Sequence, residues 1–147
     1  MAICLLSLQS LAQACQTAVD ETGNFYYLND KIIQALGWSD RYSLPKDSIS
    51  GYPSVSLSGN SKPLQPKFTT SLDDLKWLTR FVGDFTHYGV LRKPDGSYRA
   101  FLTIFTSSKK NPTMFVGEHP EVDTLALCAA VLFAFVDKHQ EESTVNN

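Results

Sequence analysis

Basic and aromatic side chains recur together at three places in the chain. Arg92, Lys93, Tyr98, Arg99, Lys109 and Lys110 fall on or beside one hairpin. Trp77, Arg80, His87 and Tyr88 come just before it, and Trp38, Arg41 and Tyr42 open a long loop. Rings with guanidinium or ammonium groups nearby suit a nucleotide-like ligand, whose base stacks on a ring while the cation grips phosphate. The bland alternative is a solvated hairpin with ordinary surface charges and aromatics that belong to the core. The ligand-binding candidates are Arg92, Arg99, Tyr98, Lys93, Lys109, Trp38, Arg41, Tyr42, Trp77 and Tyr88.

Catalytic patterns are missing. The three histidines, His87, His119 and His139, have no metal-site spacing, and the carboxylates near them form no ligand pattern. Asp73 and Asp74 are adjacent, so on a helix they point about 100° apart and read as first-turn acids favouring the helix dipole. The serines around Ser54–Ser61 include no G-x-S-x-G elbow, and no glycine-rich phosphate loop occurs. The expectation is therefore no catalytic residue, no metal and no cofactor.

Composition narrows the partners. With 147 residues, 43% hydrophobic and 19% charged, the chain is expected to fold as one domain with a single core. A net charge of −2 gives no electrostatic footprint for duplex nucleic acid, although all basic residues except Lys138 lie between Lys31 and Lys110. Cys4, Cys15 and Cys128 are too widely spaced for a disulfide framework or a zinc knuckle. The opening MAICLLSLQSLAQACQ lacks a charged n-region and an adequate apolar run, so it reads as structure and not as a secretion signal.

The elements that must position these groups centre on Leu125–Val136, twelve apolar residues in succession. Apolar on every side, such a helix must be covered on most of them. It rises about 18 Å, too short for a bilayer, so no membrane span is expected. Upstream, Leu5, Leu8, Leu11, Ala12, Cys15, Ala18 and Val19 recur at helical steps, and Gly23 ends that run. A second helix is predicted over Phe25–Leu36 with Gly37 as its stop, giving an αα-hairpin. Residues 38–67 hold eight Ser, four Pro and two Gly with no sustained period, which predicts a long loop. Ser71 caps a third helix running from Leu72 to about Val82. Extended runs follow at Tyr88–Arg92 and Ser97–Ser107, joined by the turn-forming Pro94-Asp95-Gly96, with a third strand at Thr113–Gly117. Ser97–Ser107 carries large apolar groups on both alternating faces, so part of it is expected to be covered on both sides. The fold class is α+β: a three-stranded or slightly larger antiparallel sheet layered with helices, order ααα-βββ-α, with a buried C-terminal helix. Residues 1–140 form the domain and 141–147 a disordered tail.

Three stretches carry a resemblance. They are Leu28-Asn29-Asp30-Lys31-Ile32-Ile33 leading to Leu36-Gly37-Trp38, then Phe68-Thr69-Thr70-Ser71-Leu72-Asp73-Asp74-Leu75, then Thr124-Leu125-Ala126-Leu127-Cys128-Ala129-Ala130-Val131-Leu132. In this order and spacing, bracketing about two-thirds of the chain, they resemble the phage ABA sandwich domain of small bacteriophage proteins. Residues 38–67 are longer than that family's usual connection. The resemblance implies a phage or prophage origin and a layered fold, and it implies no reaction. Together with the basic–aromatic set it leads to an expected non-enzymatic accessory protein of the host cytoplasm. Its first expected role is to sequester a nucleotide-derived host immune signal, such as a cyclic oligonucleotide or an ADP-ribose derivative. The alternative is an interaction module that inhibits a host enzyme or serves phage assembly. A chain of this size and apolar content is also expected to form a homo-oligomer.

Overall fold

Helix α1 spans Leu5–Cys15 and turns Leu8, Ala12 and Cys15 into the core at the three-and-four spacing of its sequence. The computed structural model describes residues 3–38, 66–83, 85–105 and 111–146. The helix ends before Val19 because the N–H groups of Gln16 and Thr17 fold back onto the carbonyls of Gln13 and Ala14, a tightened last turn. Asp20 then organises the link: its carboxylate accepts from the Thr22 N–H at 2.9 Å, the Thr22 hydroxyl at 2.7 Å and the Phe25 N–H at 3.0 Å. Those donors hold the Asp20 carboxyl below its ordinary pKa, the Thr22 hydroxyl most of all. They also fix Phe25 at φ 51, a left-handed backbone that costs a side-chain-bearing residue roughly 1–2 kcal/mol. Burial of the Phe25 ring offsets that cost.

Helix α2, Tyr26–Ala35, ends in paired C-terminal bonds: Gly37 N–H reaches Gln34 O and Trp38 N–H reaches Ile33 O. That double closure needs a left-handed residue, and Gly37 supplies it at φ 79. The Cys4 N–H donates to Ala35 O, so the start of α1 is tied to the end of α2 as in an αα-hairpin. Helix α3, Leu72–Thr79, starts as expected at Ser71, whose hydroxyl accepts from the Asp74 N–H at 3.2 Å. The Asp74 carboxylate reaches back to the Lys67 N–H at 2.7 Å, and desolvation raises its pKa. Leu75 and Leu78 are fully buried, and the helix stops three residues short of Val82 as the chain bends toward the sheet.

Strands β1 (Phe85–Arg92), β2 (Tyr98–Phe105) and β3 (Thr113–His119) form one antiparallel sheet in the order β1-β2-β3. The turn between β1 and β2 forms as its sequence dictates. Gly96 sits at φ 89, Lys93 N–H reaches Ser97 O at 2.7 Å, and Asp95 accepts from the Ser97 N–H and hydroxyl. Helix α4, Asp123–Asn146, lies over β2 and β3 and reaches β1 far less, with α1 packed along its other side and α3 beside it. Every side chain from Leu125 to Leu132 is fully buried. The helix runs on through residues 141–146; once a long helix is nucleated, extending it by further residues costs little.

The architecture is α+β, as expected. One packing expectation is corrected. Ala100, Leu102 and Ile104 are buried under α4, but the opposite face of β2 is not: Phe101 and Thr103 are half-buried and Phe105 is exposed. Among the described residues the helices all lie on one side of the sheet, α4 directly against it and α1 beyond α4, so the other side of the sheet carries no helix.

Candidate functional site

The register sorts the predicted binding residues onto different faces. Arg92 pairs with Tyr98 at the hairpin end, and its guanidinium lies 5.9 Å from the Tyr98 ring centre. Tyr88, opposite Leu102, shares that helix-side face and is partly open because α4 scarcely reaches β1. Arg99 points the other way. Its Nε and Nη2 donate to the same Glu118 oxygen at 2.7 and 2.6 Å, and the Lys93 ammonium is 3.8 Å from that oxygen. Beside Lys93 a cleft of 390 Å³ is lined by Gln16, Asp95, Ser97, Glu118, His119 and Pro120, so it presents two carboxylates along with one ammonium.

Trp38 and Trp77 belong to an aromatic cluster. Their ring centres are 5.6 Å apart, Trp38 lies 5.1 Å from Phe81, and Trp77 stacks on Phe68 at 6.4 Å. Trp38 is buried, so its ring serves as core. Arg41, Tyr42 and Lys109 lie outside the described residues. The structure thus brings Arg92, Tyr98 and Tyr88 to one face, sets Arg99 on the other, and puts the tryptophans among Phe68 and Phe81.

The feature that stands out is the sheet face turned away from α4. On β1 it carries Phe85, 73% exposed, and Leu91, 47% exposed; on β3 it carries Met114, 62% exposed, and Val116. Between them the Phe101 ring of β2 lies over Gly89: a Cβ there would come within 2.6 Å of the ring tip. His87 meets Phe105 edge-on at 5.6 Å, and the Arg99–Glu118 pair closes the hairpin end. Folded chains seldom leave large apolar groups contiguous over several hundred Å² unless something docks there.

No family model matches the chain, and no curated protein or solved structure matches it. No helix among the described residues is long and apolar enough to cross a membrane. No group of three His, Cys, Asp or Glu side chains among them is placed to hold a metal ion.

Two buried polar side chains hold chain segments together, His119 at the strand end its place before Pro120 suggests and Asn29 where the sequence reading gave it no role. Asn29 bridges Pro66 O and the Phe68 N–H, both at 2.7 Å. His119 Nδ1 accepts from the N–H groups of Glu121 and Val122 at 3.0 and 2.9 Å, which puts the ring proton on Nε2, 2.7 Å from Ala18 O. It terminates β3, opens the approach to α4 and ties both to the chain after α1. For Asn29 a signal existed, since it falls three and four residues before Ile32 and Ile33, on the apolar face of α2.

The thiols divide cleanly. Cys15 and Cys128 are fully buried with their sulfurs 3.9 Å apart, and the contact with Cys15 and burial push the Cys128 thiol well above its ordinary pKa. Cys4 is exposed and the Ser7 hydroxyl lowers its pKa. An aromatic disulfide reagent should therefore titrate one thiol per native chain quickly and the other two only on unfolding. Three fast thiols would mean that α1 does not sit on α4 as described.

Proposed function

We propose that this protein is a bacteriophage accessory protein that acts by binding and not by catalysis, with the outer face of its sheet as the contact surface. The phage origin rests on the resemblance of the three quoted stretches. The observation that supports the contact surface is the apolar face itself: Phe85, Leu91, Phe105, Met114 and Val116 are all at least 40% exposed on one side of a three-stranded sheet. This is the interaction-module reading, in which the partner is a protein. Tagged wild-type protein expressed in a bacterial host should retain its protein partner, and Met114→Glu should lose it while keeping the native circular dichroism spectrum. Retention of the same partner by Met114→Glu and by Leu91→Glu would remove the face from consideration.

A second reading has its own support. Arg92 over Tyr98, with Lys93 next to it, is a ring-and-cation pair of the kind that holds a nucleotide. Calorimetry against cyclic dinucleotides, cyclic trinucleotides and ADP-ribose isomers decides it. If the protein sequesters such a nucleotide, Arg92→Ala is expected to weaken binding by about 1.5–3 kcal/mol, as for loss of a charged hydrogen-bond donor. If no such ligand binds wild-type protein tighter than about 100 μM, near −5.5 kcal/mol, that reading ends.

A further inference from the structure

We propose that a second copy of this chain covers the outer face of the sheet in a two-fold, face-to-face pair. The proposal rests on the reading of that face as a contact surface and names what occupies it.

Area is the first argument. Phe85, Leu91, Phe105, Met114 and Val116 are 73, 47, 40, 62 and 41% exposed. With roughly 150–250 Å² for each aromatic side chain and somewhat less for Leu, Met and Val, they present on the order of 500 Å². That lies at the upper end of what monomers leave bare. Doubled across a symmetric contact it reaches about 1,000 Å², the lower bound for a specific interface.

Charge is the second. A two-fold contact sets one patch against itself, so an unbalanced patch repels its own copy. Here the charges gather at one end of the face, where Glu118 is bonded to the Arg99 guanidinium and lies 3.8 Å from the Lys93 ammonium, and apart from His87 and Thr103 the other groups on the face are apolar. A charged protein partner would find only that one small cluster to pair with on this surface.

Layering is the third. A sheet apolar on both faces needs cover on both, and α4 supplies only one layer. Two twisted antiparallel sheets pack face to face at about 10 Å, within about 30° of alignment. A second copy therefore gives a helix–sheet–sheet–helix stack. Phe101, central in the register between Gly89 and Val116, falls near the two-fold axis.

Sedimentation equilibrium on the full chain tests this. Wild-type mass should rise from 16.4 kDa toward twice that value as concentration passes through the micromolar range, which suits so small an interface. Phe85→Glu and Met114→Glu, on opposite edges of the face, should each weaken self-association at least about tenfold. Both should keep the native dichroism, since neither side chain is core. Leu6→Glu, at an exposed leucine on α1, should leave association unchanged. A wild-type chain still monomeric at about 200 μM overturns the proposal. So does a dimer indifferent to both glutamates. If the chain is monomeric and Met114→Glu nonetheless abolishes capture of a host protein, the contact-surface reading stands and only the second copy falls. If it is monomeric and Met114 resists peroxide, the chain's own segments cover the face, and both fall.

Discussion

Gly117→Ala should destabilise the protein by about 3 kcal/mol or more, a large share of the 5–15 kcal/mol that holds a domain together. Gly117 lies in β3 opposite Ala100 and directly against α4. A Cβ at this position would run into the carbonyl oxygen of Ala126 and stand 2.8 Å from both the Ala129 Cβ and the Ala130 nitrogen. Two of those three atoms are helix backbone, and no rotamer change removes them. The whole helix must lift, and α4 carries the largest share of the core of any element, from Leu125 to Val136. Gly89→Ala is the internal comparison. Its nearest neighbour is the tip of the Phe101 ring, which can swing away over the open face, so its cost should stay near 1 kcal/mol. Urea denaturation of the two variants measures both. A Gly117→Ala midpoint within about 1 kcal/mol of wild type would mean that α4 does not seat on β3 at this distance.

What the sequence revealed follows a physical division. Local signals were legible. Ser71, Gly37 and Pro94-Asp95-Gly96 act through hydrogen bonds and dihedrals within a few residues, and each formed where its chemistry requires. The twelve-residue apolar run was also legible, because any helix so apolar must be covered. Contacts set by register were not. Arg99 reads as a free cation until β3 puts Glu118 beside it, nineteen residues on. Trp38 and Trp77 read as stacking platforms until Phe68 and Phe81 surround them. In β2, alternation correctly marked two apolar faces, but it does not say whether the covering layer comes from the same chain. That is why a strand expected to be covered on both sides became the strongest candidate surface. Gly117 carried a usable signal, an isolated glycine inside an alternating strand, which marks a close backbone approach.

Asn29→Leu should cost about 3–5 kcal/mol, because two buried backbone groups lose their partner at about 1–3 kcal/mol each plus the strain of repacking. Asn29 is fully buried on α2. Its amide nitrogen donates to Pro66 O and its amide oxygen accepts from the Phe68 N–H, each at 2.7 Å. Among the described residues neither backbone group has another hydrogen-bond partner, so leucine, branched at the same carbon, fills the space and satisfies neither. The bridge also fixes where the chain re-enters the core, since Phe68 is fully buried next to Trp38 and Trp77. Loss of the bridge should loosen that cluster ahead of the sheet. Tryptophan emission should then shift to the red at lower urea than the far-ultraviolet dichroism changes. Asn29→Asp separates the two bonds: it keeps an acceptor for the Phe68 N–H but sets a carboxylate oxygen against Pro66 O, a repulsion that protonation relieves. Its stability should therefore recover partly as pH falls through the carboxyl range, whereas Asn29→Leu shows no such recovery. If Asn29→Leu unfolds within about 1 kcal/mol of wild type, the amide is not what anchors Pro66 and Phe68 to α2.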